Sequence, residues 1–135
     1  MDEKNIPLKH GSLILLDTVF LGAEKKLPHY FIVLNKNPAI DNEIVLVHFT
    51  TSKATKKSKF SHIMRVHKSR HPALTEEYSY IDCSAVRKMS NESLFLKIRK
   101  IFPAIGSDLL EEIKSKIESC CVLSRNQIDG FTKYF

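Results

Sequence analysis

The residues that could do chemistry gather in the middle of the chain. Thr50-Thr51-Ser52-Lys53 sets small hydroxyls beside a cation. That combination can hold a phosphate through hydroxyls and backbone amides, and it is equally an ordinary strand end followed by a turn. His29, just after Pro28, places an imidazole at the start of an apolar stretch, where it can serve as general base or acid. Asp82 and Arg87 bracket Cys83-Ser84-Ala85-Val86, where neighbouring strand ends can converge with Thr51 or simply form a salt bridge. From Ile44 to Thr75 there is no Asp or Glu, and 7 of the 21 Lys and Arg residues fall in that interval. The candidate contacts to a polyanion backbone are therefore Lys53, Lys56, Lys57, Lys59, Arg65, Arg70 and His71, joined by Arg87; a solvated lysine-rich loop is the plainer account.

Other chemistries lose support. His62, His67 and His71 lack the spacing of metal ligands, so no metal site and no cofactor are expected. The chain has no Gly-rich phosphate loop, Ser elbow, paired-carboxylate motif or CxxC. Nucleotide hydrolases, esterases, glycosidases and thioredoxin-like enzymes are disfavoured accordingly.

These residues need strands to position them. Leu13-Ile14-Leu15-Leu16 is a short apolar run opened by Gly11-Ser12 and closed by Asp17, as in a buried strand. Residues 21–28 carry Gly and Pro and read as a loop into the second strand, His29 to Leu34. Glu43 to Thr51 has strong β propensity, Phe60 to Val66 suits an edge strand, and Tyr78 to Asp82 gives a fifth. After Arg87 the pattern turns helical. Leu94, Phe95, Ile98 and Ile101 fall at helical spacing, with Pro103 and Gly106 as stops. Asp108 reads as an N-cap with Glu111 three residues on, opening a helix whose stripe is Leu109, Leu110, Ile113 and Ile117. The expectation is one α+β domain over residues 1–135: a small, strongly bent antiparallel barrel at about 8–90, a helical part at about 91–124, and a tail at 125–135 held loosely unless Phe131 or Phe135 docks.

With 135 residues, 43% of them hydrophobic, the chain can bury a real core, and its net charge of +6 permits nucleic-acid binding without requiring it. Three cysteines, two of them adjacent, suit a reducing compartment, and no apolar stretch reaches membrane-spanning length. The cytoplasm is the expected location, with no membrane partner.

Taken together, Gly11-Ser12-Leu13-Ile14-Leu15-Leu16, Pro28-His29-Tyr30-Phe31-Ile32-Val33-Leu34, Val45-Leu46-Val47-His48-Phe49-Thr50-Thr51-Ser52-Lys53 and Tyr78-Ser79-Tyr80-Ile81-Asp82-Cys83 resemble the PemK/MazF-like toxin family over roughly residues 8 to 123. The resemblance implies an SH3-like barrel with added helices, often a homodimer, acting as a metal-independent endoribonuclease on single-stranded RNA and neutralised by a cognate antitoxin. In such proteins the Arg of an Arg-Pro pair and the Thr of a Thr-Ser pair serve catalysis. Thr51 and Ser52 match the second pair, while His29 and Tyr30 occupy the positions of the first. The catalytic expectation is thus His29, Thr51 and Ser52, with Lys53 or Arg87 as the cation. A non-catalytic barrel module binding nucleic acid or an acidic protein segment is the alternative.

Overall fold

A computed structural model describes residues 8–18, 27–50 and 62–135. The strands are β1 (Ser12–Thr18), β2 (Leu27–Val33), β3 (Glu43–Thr50), β4 (Ile63–His67), β5 (Tyr78–Asp82), β6 (Arg87–Ser90) and β7 (Ile98–Ala104). The helices are α1 (Asn91–Lys97), α2 (Ser107–Glu118) and α3 (Arg125–Thr132). All strand pairs are antiparallel, in the order β4-β5-β3-β2-β1-β7, with β6 also pairing β3. The result is a bent, mixed α+β sheet fold, and among the described residues no pairing closes β4 onto β7.

The central strands are apolar on both faces because both faces are covered. On one side Leu13, Ile32, Val45, Val47 and Phe49 share a core with Leu109, Leu110, Ile113 and Ile117 of α2. On the other, Ile14, Leu16, Phe31, Val33, Ile44 and Leu46 meet Leu94 of α1 and Ile98 of β7. Alternation along each strand divides its side chains between these two cores. Gly11 fixes where β1 begins. Its φ of +86° favours glycine, its N–H donates to the Val33 carbonyl, and an added Cβ would lie 3.3 Å from Leu110 Cδ2.

Four points of the reading after Arg87 change. The helix expected through Lys100 ends at Lys97, and Ile98–Ala104 is instead a strand on the free edge of β1. The register passes from Leu15↔Lys100 to Leu16↔Ile98, so Arg99 is an extra, bulged residue. One extra residue offsets the alternation, and Ile98 and Ile101 face the same core at a spacing of three, which imitates a helix in sequence. Pro103, read as a helix stop, sits in this edge strand, where a missing N–H does least harm. Arg87–Ser90 forms a strand that the sequence did not announce. The helix N-cap is Gly106 rather than Asp108, which lies in the first turn of α2, where its charge suits the helix dipole.

The terminal residues are docked. Ser124 and Gln127 form a reciprocal capping box at the start of α3, and Phe131, Tyr134 and Phe135 pack against the α2-side core. The Tyr134 carbonyl accepts from Lys36 N–H at 2.8 Å, and its hydroxyl donates to Glu43 Oε1 at 3.2 Å.

Candidate functional site

One edge of β3 is divided between two short strands. β6 pairs with Glu43 to Leu46, and β5 pairs with Phe49 and Thr50. The turn Cys83 to Val86 crosses the gap between them, with Asp82 at the end of β5 and Arg87, the partner of Leu46, at the start of β6. Asp82 shapes this turn itself: its Oδ1 accepts from the Ser84 N–H at 2.9 Å and from the Ser84 hydroxyl. Cys83 N–H donates to the His62 carbonyl at 2.9 Å, and His62 Nε2 stands 3.8 Å from Asp82 Oδ1.

The other wall is β2. Its register places Phe31 opposite His48, and the 2 residues from Phe31 back to His29 keep His29 on the same face. The His29 and His48 rings meet edge to face at 5.6 Å between centroids, and His48 tilts against Phe31 at 5.4 Å. Arg87 pairs with Leu46, which shares a face with His48, and its charge is felt by both imidazoles.

Burial and charge then act together on the imidazoles. Desolvation, followed by the Arg87 charge, lowers the His29 pKa below its usual value. His48 is lowered to about 4, first by burial, then by His29 and Arg87, with Asp82 partly opposing. Both rings are neutral near pH 7, beside a permanent cation. Such a group can accept a proton at His29 and stabilise negative charge at Arg87.

The structure thus brings together His29 and Arg87 and adds His48, which in the sequence stood only within the segment from Val45 to Lys53, with no role assigned. The signal was its place in the strand running to Thr50, but its partner could be known only from the β2–β3 register. Thr51, Ser52, Lys53, Lys56, Lys57 and Lys59 lie outside the described residues. Arg65 is exposed on β4 with its guanidinium carbon 4.4 Å from the Tyr78 ring centroid. Arg70 Nη2 contacts Asp108 Oδ2 at 3.5 Å and Glu112 Oε2 at 3.3 Å on α2.

His71, expected to face a polyanion, is instead buried at 4% exposure. Its Nδ1 accepts from Ala73 N–H at 3.0 Å, so its Nε2–H donates to the Pro103 carbonyl at 2.7 Å, tying this loop to β7. An open groove of about 720 Å³ lies between β4 and α2, but Asp108, Glu111 and Glu112 line it and make it a poor bed for phosphate. Among the described residues, no helix is long and apolar enough to cross a membrane.

Comparison with known proteins bears on the family and the fold. A family model described as a PemK-like, MazF-like toxin of type II toxin-antitoxin systems matches residues 9–121. Among solved structures, the fold is similar to that of an endoribonuclease in complex with its cognate antitoxin from Mycobacterial species, with a TM-score of 0.58 at 12% identity, covering 87% of this chain and 98% of that one. No curated protein matches the chain by sequence.

Proposed function

Because the chain belongs to the PemK-like, MazF-like toxin family of type II toxin-antitoxin systems, we propose that it binds single-stranded RNA and cleaves it as a metal-independent endoribonuclease. The observation that carries this reading is the meeting of His29, His48 and Arg87 at the divided edge of β3. Neutral His29 removes the proton from a ribose 2′-hydroxyl, whose oxygen attacks the adjacent phosphorus. Arg87 stabilises the charge growing on the phosphoryl oxygens, and the bond to the 5′-oxygen breaks. Thr51 and Ser52 hold the phosphate in this reading, with Lys53, Lys56, Lys57 and Lys59 attracting the backbone beside it.

The leaving 5′-oxygen takes its proton from water, and neutral His48 packs edge to face against the His29 ring without placing a second charge beside it.

A cognate antitoxin is the proposed protein partner, supported by the solved neighbour being bound to its own. A homodimer belongs to the same reading and is checked by light scattering.

The test is cleavage of a mixed-sequence RNA in the presence of a chelator, comparing the wild type with His29→Ala, His48→Gln and Thr51→Ala. Cleavage by the wild type and loss of at least a hundredfold in His29→Ala are expected. Equal background from all four proteins would sink the ribonuclease reading and leave the non-catalytic binding module.

A further inference from the structure

The opposite face of the same sheet carries a second arrangement. On the neighbouring strands β2, β1 and β7, the register places Tyr30 and Lys100 on either side of Leu15, and Phe102 opposite Leu13. Cross-strand partners share a face, and residues two apart do likewise, so all these side chains stand together, away from His29 and His48. Leu13 is fully buried beneath the α2-side core, whereas Leu15, Tyr30 and Phe102 are half-buried where that core runs out. The Tyr30 and Phe102 rings lie 5.7 Å apart with planes at 51°, and the Lys100 ammonium rests 5.0 Å from the Phe102 centroid. A ring that receives an ammonium presents a face to the outside.

The bulge at Arg99 has a consequence for charge here. It exposes Arg99 and Lys100 in succession, beside exposed Lys97 at the end of α1. Arg99 Nη1 is 3.6 Å from Asp17 Oδ1, but both side chains are about half exposed, and such a pair contributes little. Edge strands often carry a lysine merely to discourage pairing. That habit does not account for two half-buried aromatic rings alongside consecutive cations. Aromatic faces framed by cations are the means by which single strands are held without regard to sequence.

We propose that the Tyr30–Phe102 face is a stacking platform for a base of single-stranded RNA, with Lys100 and Arg99 taking the adjoining phosphates. This rests on the RNA reading above, and it identifies a base-binding surface distinct from the reacting groups. When a base arrives, the Lys100 ammonium passes from the ring to the phosphate.

The test uses the full chain and a fluorescent, mixed-sequence RNA methylated at every 2′-oxygen, so that binding is read without cleavage. Tyr30→Leu/Phe102→Leu keeps apolar volume and removes both rings; it should weaken Kd about tenfold, while Tyr30→Phe stays within twofold of wild type. Arg99→Gln/Lys100→Gln should flatten the salt dependence by about 1.4 in log–log slope. A strand of the same length lacking bases reads the stacking on the unaltered protein and should bind about tenfold more weakly. Equal affinity for the two strands, or an unchanged Kd in the double Leu variant, overturns the platform, as does absence of RNA binding by the wild type. Cleavage of unmodified RNA, followed separately in His29→Ala, tells loss of the platform from loss of the catalytic reading.

Discussion

Replacing His48 by Gln should make the fold less sensitive to acid, by an amount that follows from its surroundings. The imidazole lies against Phe31 and His29 with Arg87 nearby, and its pKa is lowered to about 4 from 6.5. A depressed histidine favours folding while neutral: its full contribution is present above pH 6.5 and is lost as the pH falls from 6.5 toward 4. At 1.36 kcal/mol per tenfold change in proton affinity, the wild type should lose about 2.5 kcal/mol at pH 4.5 through this residue alone. His29 and His10, also lowered, add further losses, but these are common to wild type and variant. Urea unfolding at pH 7.0 and 4.5 isolates the His48 contribution as a double difference. A wild-type decrease larger than that of His48→Gln by roughly 2 to 3 kcal/mol is expected. Identical decreases would refute the burial and charge assigned to this ring.

Three other outcomes follow from the contacts. Arg87→Gln removes a charge that depresses both histidines, so the acid limb of the cleavage–pH profile should move to higher pH while the maximal rate falls about a hundredfold; an unmoved limb would separate Arg87 from the site. Asn35, fully buried, accepts from Val45 N–H at 2.7 Å and donates to the Glu43 carbonyl at 2.9 Å, so Asn35→Ala should destabilise by about 2 to 4 kcal/mol, seen as a melting temperature lower by roughly 10 °C. Cys83 is buried with its thiol pushed up to about 12, Cys120 is buried, and Cys121 is exposed; a thiol reagent should therefore modify Cys121 rapidly in the native protein and all three only after unfolding.

The apolar runs of β1, β2 and β3 were legible as strands because a short continuous run of apolar, β-branched and aromatic residues is a local property, and it arises here because both faces are covered. The acid-free interval was legible because charge is written residue by residue. The segment from Leu94 to Ile101 was not. A bulge at Arg99 gives Ile98 and Ile101 the spacing of a helix, and only the free edge of β1 decides that the chain pairs there instead. His71 illustrates the same limit: its sequence neighbours Arg70 and Lys68 mark a basic surface, yet Pro103 and Ala73 claim both of its ring nitrogens.

By itself the sequence determined which stretches bury apolar surface, where positive charge collects, and that His29 stands near a strand end. Tertiary structure alone decided that His29 meets His48, because that contact depends on the β2–β3 register. It also decided that Arg87 joins them, because β5 and β6 share one edge of β3 and leave the turn between them beside His48. Hydrophobic period and charge are written residue by residue, whereas proton affinity depends on which distant residues fold around the group and exclude water from it.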